Sequence, residues 1–307
     1  MSKSLLYNYV KKSIKKIFMV YTMLKTHLIG PYNFDHGKCK AGFFSCCSVR
    51  LDNIIEYFNK HRCLPTIVDS SEHYTLYKKE NEKNRDIIFD YFEDYRNEVE
   101  IKYEKNVEYK ETYQYNKYNT LDYESIIPFV KKYFTPSQQI KNIISNIENK
   151  YNITDYSNIC VLFYRGNDKV TETHISKYDD VIIKANSILS KHPTIQFLIQ
   201  SDETNFIERM TLEFPSNSFY FKDEIRHINK QMTSVDLINT NDTNHEFSKY
   251  YLAITIIMSK CKYVVCGSSG NCSIWITFFR ENANNVTHYI HTLRNSLPIG
   301  WVGDIDI

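Results

Sequence analysis

The pattern of hydrophobic positions changes near residue 135. Beyond that point short apolar runs alternate with amphipathic segments, which is typical of buried parallel strands joined by helices. The predicted strands cover residues 159–163, 195–199, 219–221, 263–266 and 286–290. The predicted helices cover residues 178–190, 205–214, 246–260 and 272–281. This alternation predicts an α/β fold in which helices cover both faces of a parallel sheet.

The pattern before residue 135 is weaker. Leu51, Ile54, Ile55 and Phe58 recur at the spacing of a helix, and residues 64–68 predict a strand that follows it. Charges are dense and tyrosines frequent between residues 72 and 118, where only residues 99–103 predict a strand. We therefore expect one smaller α/β unit in the first half of the chain.

A helix start marks the boundary between the two halves. Thr135 is predicted as the N-cap, Pro136 as the first helical residue, and Gln138 as the partner that completes a capping box. The chain is accordingly divided into residues 1–34, a basic arm or helix, and two α/β domains at residues 35–134 and 135–307.

Composition excludes several classes of protein. The 307 residues are 42% hydrophobic and 24% charged with a net charge of +2, which predicts a folded protein without a global attraction to nucleic acid. We expect no nucleic-acid partner. The eight cysteines form no Cys-x-x-Cys pair, so they are interpreted as buried, reduced residues of an intracellular protein rather than as zinc ligands or disulfides.

The N-terminal segment has an unusual charge. Residues 1–34 contain six lysines and no acidic residue, and their apolar stretch at residues 17–24 is shorter than the ~20 residues that cross a bilayer. No signal peptide is recognised, and a cytoplasmic location is expected. Two interpretations of the arm stay open: a solvated helix on the protein body, or a basic segment in peripheral contact with an anionic membrane.

The loop after the first predicted strand of the C-terminal half carries the strongest candidate chemistry. It contains Arg165, Gly166, Asp168, Lys169 and Glu172. Arginine offers a planar fork and lysine a compact charge for phosphate oxygens, while a carboxylate can accept a proton from an attacking hydroxyl. The alternative is a solvated loop with internal ion pairs.

Two further loops follow neighbouring strands. Ser201 and Asp202 follow the second strand, and a turn rich in small residues opens the last long helix; that turn consists of Ser268, Ser269, Gly270 and Asn271. Backbone N–H groups at a helix start bind anions, so we expect this turn and the Arg165 loop to face each other. Ordinary helix capping is the alternative.

Other familiar sites are missing from the sequence. There is no glycine-rich dinucleotide fingerprint and no phosphate loop that ends in Gly-Lys-Ser/Thr. His288 and His291 have no nearby partners in the sequence and are predicted to be surface residues rather than metal ligands. We expect no metal site.

The order of these motifs resembles a known family. Arg165-x-x-Asp168-Lys169-Val170, then Glu172, then Ser201-Asp202-Glu203, and finally residues 263–266 with a serine-rich turn, resemble the donor domain of α1,6-fucosyltransferases. The resemblance covers residues 158–280. It implies a glycosyltransferase-B-like fold of two Rossmann-like domains facing a cleft, with GDP-fucose as the donor substrate and no metal or other cofactor. Residues 35–134 would then be the acceptor side and residues 135–307 the donor-binding domain.

The resemblance also implies roles for single residues. Arg165 would bind the diphosphate, Lys169 would assist it, and Glu172 would be the base, with Asp168 in the same catalytic group. Ser268 or Ser269 would bind phosphate oxygens, and the remaining donor-binding candidates are Gly166, Ser201, Asp202, Gly270 and Asn271.

The chain departs from the family pattern in the same region. Phe163 stands where the family usually has histidine, Gly166 stands where a second arginine is common, and Glu172 lies one residue closer to the lysine. No helix residue that would recognise guanine is found.

The sequence thus predicts a metal-independent glycosyltransferase that moves a sugar, with fucose as the candidate, from a nucleoside diphosphate to a hydroxyl of a glycan or glycoprotein. Two alternatives stay open. The first is an inactive protein of the same fold that binds a nucleotide sugar or glycan, and the second is a peripheral membrane or structural protein that uses the basic arm.

Overall fold

The computed structural model describes residues 32–33, 41–95, 101, 105–290, 299–303 and 305. Most of the basic arm and most of the predicted strand at residues 99–103 lie outside this part of the chain, so both predictions stand as they were made. No helix within it is long and apolar enough to cross a membrane.

A six-stranded sheet forms the centre of the C-terminal half. Its strands are β3 (Ile159–Tyr164), β4 (Gln196–Ser201), β5 (Ser218–Phe219), β6 (Tyr263–Cys266), β7 (Val286–Ile290) and β8 (Gly300–Val302). The order across the sheet is β5-β4-β3-β6-β7-β8, with β3 to β7 parallel and β8 antiparallel. The predicted α/β class, with a parallel sheet in the C-terminal half, is confirmed.

Helices connect these strands. They are α4 (Gln138–Lys150), α5 (Lys169–Glu172), α6 (Tyr178–Lys191), α7 (Thr204–Glu213), α8 (Val235–Ile238), α9 (Asn241–Lys260) and α10 (Asn271–Arg280). Helices α6 and α7 pack against each other, while α9 packs against α4 and α10. The longest helix, α9, begins five residues before the predicted start because Thr240 caps it by accepting a hydrogen bond from the Thr243 backbone N–H.

The strand order reverses between β3 and β6. From β3 the chain runs through β4 to β5 on one side, and then returns to place β6 and β7 on the other side. Such a reversal leaves a crevice beyond the carboxyl ends of the two central strands, where ligands bind in open α/β sheets. Arg165 follows β3 and the serine-rich turn follows β6, so both predicted loops lie at this crevice.

The N-terminal half is mainly helical in its described residues. Its elements are β1 (Tyr32–Asn33), α1 (Phe43–His61), β2 (Val68–Asp69), α2 (Ile88–Tyr91) and α3 (Tyr123–Tyr133), with 3₁₀ turns at Thr75–Tyr77, Glu111–Tyr115 and Tyr118–Thr120. The predicted helix is confirmed as α1. The predicted strand at residues 64–68 is wrong, because in the described part of the chain only Val68–Asp69 of this segment forms a strand, which pairs in parallel with β1.

Aromatic side chains join the two halves. Trp275 in α10 packs on Phe134 with ring centroids 4.7 Å apart and on Phe44 in α1 at 6.1 Å. The Trp275 indole N–H also donates to Ser48 Oγ at 2.9 Å. The described buried residues on both sides of position 135 therefore belong to one continuous core. A second Rossmann-like domain stays a prediction, since the described part of the first half contains only the two-stranded sheet.

The predicted capping box at Thr135 is wrong by two residues. Pro136 bridges to Phe92, which keeps it outside the helix, and Ser137 is the N-cap whose hydroxyl accepts from the Ile140 backbone N–H. The Thr135 hydroxyl instead donates to the Lys131 carbonyl at 2.5 Å. Helix α4 thus begins at Gln138.

His288 is buried rather than on the surface. Its ring stacks on Tyr118 with centroids 3.7 Å apart, and Nε2 lies 3.1 Å from the Asn116 carbonyl. His291 lies outside the described residues. The cysteines follow the prediction, because all seven within the described part of the chain are free and buried.

Candidate functional site

A cleft of ≈ 400 Å³ lies at the crevice between β3 and β6. Both halves of the chain line it: residues 41–45 from the start of α1 face the Arg165 loop and the start of α10. Six of the predicted site residues lie at or beside this cleft: Arg165, Asp168, Lys169, Glu172, Gly270 and Asn271. Two turns about a hundred residues apart in sequence thus converge, as the parallel topology predicts.

Two carboxylates hold the Arg165 guanidinium. Nε donates to Asp202 Oδ2 at 2.9 Å and Nη2 donates to Asp168 Oδ1 at 2.8 Å. Burial acts to lower the pKa of Arg165, but the charges of Asp202 and Asp168 outweigh it and raise that pKa well above its usual range. The cation is therefore permanent, and its direction is fixed by two charge-assisted hydrogen bonds.

The two carboxylates differ in their own titration. Burial raises the pKa of Asp202, although Arg165 and the Gly166 backbone N–H, which donates to Oδ1 at 3.1 Å, oppose this. Burial also acts to raise the pKa of Asp168, but there the Arg165 charge prevails and lowers it. Asp202 is thus the carboxylate of this pair that takes up a proton more readily.

Lys169 and Glu172 form a second ion pair at the cleft. Lys169 Nζ lies 2.5 Å from Glu172 Oε2, and its side chain is 12% exposed whereas that of Glu172 is 45% exposed. A Cβ atom on Gly270 would lie 3.4 Å from Lys169 Cε, so the lysine stem passes over the start of α10. The ammonium group therefore lies close to that helix terminus.

The starts of two helices face the cleft. Helices α1 and α10 begin after Gly42 and Gly270, which have no side chain to cap the first N–H groups, and neither helix has an acidic residue in its first turn. Asn271 Nδ2 donates to Ser45 Oγ at 2.9 Å, which links the two termini. Both termini therefore present backbone donors and partial positive charge to one space.

The serine hydroxyls of the predicted donor site have other partners. Ser201 Oγ accepts from the Glu203 backbone N–H at 3.0 Å, and Ser268 Oγ accepts from the Arg165 backbone N–H at 2.9 Å. Ser269 Oγ donates to the Tyr289 carbonyl at 2.6 Å. All three serines are buried and do not line the cleft, so these hydroxyls hold the loops in place, and their binding of phosphate stays a prediction.

A smaller cavity of ≈ 50 Å³ adjoins the cleft at Arg165. Sequence reasoning missed most of its polar lining, above all Gln200 and Arg226. Arg226 donates to Asn244 Oδ1 at 2.6 Å and to Asp236 Oδ1 at 2.7 Å, and Asp236 also accepts from the Tyr77 hydroxyl at 2.8 Å. Two signals could have indicated these residues: the scarcity of arginine in the chain, and the position of Gln200 directly before Ser201 and Asp202.

The described residues contain no group of three or more histidine, cysteine, aspartate or glutamate side chains placed to hold an ion. The sequence-based expectation of a metal-free site stays a prediction.

Comparison with known proteins gives similarity in structure alone. No protein-family model matches the sequence, and no curated protein matches it. The structure of fucosyltransferase NodZ from Bradyrhizobium is 10% identical, with a TM-score of 0.37 over 56% of this chain and 52% of that one. NodZ α-1,6-fucosyltransferase co-crystallised with GDP is 11% identical, with a TM-score of 0.36 over 54% and 48% of the two chains.

The same enzyme soaked with GDP-fucose is 9% identical, with a TM-score of 0.36 over 59% of this chain and 52% of that one. The chain spans about half the length of these structures. They are α1,6-fucosyltransferases, the family that the sequence motifs resemble. Similarity of this size does not assign an activity, which has to be argued from the residues of the cleft.

Proposed function

We propose that this protein is a glycosyltransferase that moves a sugar from a nucleoside diphosphate donor to a hydroxyl acceptor. The observation that carries the proposal is the shared cleft of Arg165 and the start of α10, whose first N–H groups have no side-chain cap. The donor diphosphate would bind between them, and the acceptor would approach from the side of α1.

The physical task of such an enzyme is to stabilise separated charge. Breakage of the bond between the sugar carbon and the phosphate oxygen leaves an extra negative charge on the diphosphate, while the sugar becomes cation-like. Arg165 is already oriented by Asp168 and Asp202, and the α10 terminus is part of the fold. Preorganised donors of this kind stabilise the transition state because they need no rearrangement.

The cleft is lined by more acidic than basic side chains. Arg165 and Lys169 are its cationic side chains, whereas Asp168, Glu172 and Asp236 are acidic. A diphosphate would compete with Glu172 for Lys169 and break their ion pair. Donor binding would therefore release the carboxylate that the reaction needs.

The released Glu172 would act as the base. The acceptor hydroxyl oxygen forms the new bond to the sugar carbon, the bond from that carbon to the diphosphate breaks with its electron pair leaving on the phosphate oxygen, and Glu172 takes the hydroxyl proton. We propose fucose as the sugar, GDP-fucose as the donor and a glycan or glycoprotein as the acceptor, on the motif resemblance at residues 165–172.

The test is transfer by the purified 307-residue chain from a panel of nucleotide sugars that includes GDP-fucose, with and without a chelator. Arg165→Ala is expected to lower the rate by about 10²–10³. Arg209→Ala is the control, because Arg209 pairs with Asp179 and Glu213 on the surface away from the cleft. Equal rates for the two variants, with both folded, would refute the proposed role of Arg165.

One observation supports a second candidate function. The Lys169–Glu172 ion pair engages the proposed base in the free protein. If no diphosphate breaks that pair, the chain would bind a nucleotide sugar without transferring it. Saturable binding of GDP by calorimetry, together with no release of sugar from any donor in the panel, would identify this function.

A further inference from the structure

Large apolar side chains are exposed to solvent at one edge of the cleft. Eight large hydrophobic side chains are exposed among the described residues, and three of them, Met232, Leu237 and Ile238, lie close together in sequence. Met232 is 69% exposed and Leu237 is 55% exposed, and both line the cleft. Single exposed apolar residues are common on protein surfaces, but an apolar patch beside a cleft is typical of a binding surface.

The N-terminal half of the chain adds another side chain to this patch. Leu76 is half-buried and lines the same cleft. The neighbouring Tyr77 hydroxyl donates to Asp236 Oδ2 at 2.8 Å, which holds the turn of Leu76 beside helix α8. We call Leu76, Met232 and Leu237 the apolar rim of the cleft.

The segment at residues 231–237 is held at both ends. At its start, the Gln231 backbone N–H donates to Asn167 Oδ1 at 2.9 Å. Near its end, Asp236 Oδ1 accepts from the Arg226 guanidinium at 2.7 Å. Movement of this segment into the protein would break these hydrogen bonds, so the exposure of its two rim side chains is part of the fold.

The size of the apolar rim indicates what kind of partner covers it. A stable protein–protein interface needs roughly 20–30 residues on each side, whereas the rim consists of three side chains. A surface of this size suits a single alkyl chain or aromatic ring. The rim is therefore interpreted as a site for an apolar group on a small molecule.

The position of the rim identifies that molecule as the acceptor. The rim belongs to the same cleft as Glu172, which the acceptor hydroxyl has to reach. It also adjoins the start of α1, because a Cβ atom on Gly42 would lie 4.0 Å from the Tyr77 hydroxyl oxygen. An acceptor that enters from the side of α1 thus passes the rim.

We propose that the acceptor is an amphiphilic glycoside, whose sugar enters the cleft while an alkyl or aryl group on that sugar packs on the apolar rim. This inference rests on the proposed function and narrows its acceptor to a sugar that carries an apolar group. The physical reason is the removal of apolar surface from water, which strengthens binding about fourfold for each fully buried methylene.

The experiment compares transfer to methyl and hexyl β-glycosides of the same sugar, for a panel of common hexoses and N-acetylhexosamines, and to a glycoprotein. The nucleotide-sugar panel supplies the donors, and kcat/KM is measured for each acceptor. The natural chain should use the hexyl glycoside about tenfold better than the methyl glycoside, because five extra methylenes are covered on one side. The double variant Met232→Gln/Leu237→Asn, which keeps the size of both side chains but makes them polar, should use the two glycosides about equally well.

Leu212 provides a matched control. It is 76% exposed on α7 and does not line the cleft. Leu212→Asn therefore removes an apolar side chain of similar exposure and should keep the preference for the hexyl glycoside. Substitutions at exposed positions change stability little, so all variants are expected to fold, and their melting temperatures check this.

Three results would overturn the inference while the proposed function stands. The first is equal use of methyl and hexyl glycosides by the natural chain. The second is transfer to the glycoprotein but to neither glycoside, which would assign the rim to a polypeptide. The third is a natural chain that sediments as a dimer and a double variant that sediments as a monomer, which would assign the rim to a second copy of the chain. If no acceptor receives sugar from any donor, the proposed function fails as well.

Discussion

A Cβ atom on Gly166 would lie 1.5 Å from Oε2 of Glu203. The Glu203 side chain is completely buried, and its Oε1 accepts from the Tyr178 hydroxyl and lies 3.7 Å from Lys230 Nζ. The carboxylate therefore cannot move aside easily. Position 166 has to be glycine as long as position 203 is this glutamate, which gives a structural reason for the absence of the second arginine that the related family commonly has there.

Gly166→Ala should therefore destabilise the fold. We expect a loss of about 1–3 kcal/mol in the free energy of unfolding, typical of an overpacked site, measured by urea denaturation. Glu203→Ala should also destabilise, since Tyr178 and Lys230 lose their partner. The double variant should be more stable than the sum of the two losses predicts, and strictly additive losses would contradict the proposed contact.

Glu172→Gln should separate binding from catalysis. The amide cannot take the acceptor proton, so kcat should fall by about 10²–10⁴. Lys169 loses its competing carboxylate, so GDP should bind at least as tightly as it does to the natural chain. Steady-state kinetics and calorimetry measure the two effects. Glu213→Gln is the control: it removes a carboxylate that pairs with Arg209 away from the cleft, so kcat and GDP binding should not change. Weaker GDP binding in Glu172→Gln would argue against competition between Glu172 and the diphosphate for Lys169.

His288 should make stability depend on pH. Burial lowers the pKa of this residue to about 4, from an ordinary value of 6.5. The unfolded chain therefore binds more protons than the folded one between these values, and the free energy of unfolding should fall as the pH falls from 6.5 to 4, by about 3 kcal/mol in total. Above pH 6.5 His288 should not make the free energy of unfolding depend on pH.

The measurement is urea denaturation at several pH values for the natural chain and for His288→Phe, whose ring can still stack on Tyr118. In this variant the free energy of unfolding should depend less on pH between 4 and 6.5. The variant also loses the hydrogen bond to the Asn116 carbonyl, which lowers its stability at every pH. His174→Phe is the control, because His174 is exposed. An unchanged slope in His288→Phe would show that other groups cause the acid sensitivity.

Trp275→Ala should lower the free energy of unfolding of the whole chain rather than that of the C-terminal half alone. The indole packs on Phe134 and Phe44 and donates to Ser48, so its removal leaves a cavity between the halves. We expect a loss of about 3–5 kcal/mol. Circular dichroism and a fluorescent probe attached in the N-terminal half should report a single, lowered transition, and two separate transitions would contradict a shared core.

The parallel sheet could be predicted from sequence because its buried strands are continuous apolar runs, and three of the five predicted strands match within one residue at each end. The N-terminal half apart from α1 could not, because much of the rest of its core consists of aromatic side chains that come together from separate segments. Phe43, Tyr74 and Tyr77, for example, come together with ring centroids of 5.6 Å but share no periodic pattern. The prediction of a strand at residues 64–68 was wrong for a related reason: an apolar segment needs a pairing partner, and within the described residues β1 pairs with Val68 and Asp69 only.

The candidate site could likewise be predicted only in part. The meeting of Arg165 with Gly270 follows from topology, since both loops leave the same edge of neighbouring strands. The serine hydroxyls at positions 201, 268 and 269 illustrate the limit, because a sequence does not tell whether a hydroxyl binds its own loop or a ligand. The apolar rim and the start of α1 required the three-dimensional arrangement, as each matters through residues distant in sequence.

The indole of Trp275 also has a practical consequence. Many two-domain proteins can be divided at the linker, and each piece can then be produced separately. In this protein a cut near position 135 would separate Trp275 from Ser48 and Phe44 and would expose apolar surface on both fragments. Such pieces are expected to precipitate during expression. Efforts to crystallise or assay the protein should therefore begin with the uncut polypeptide.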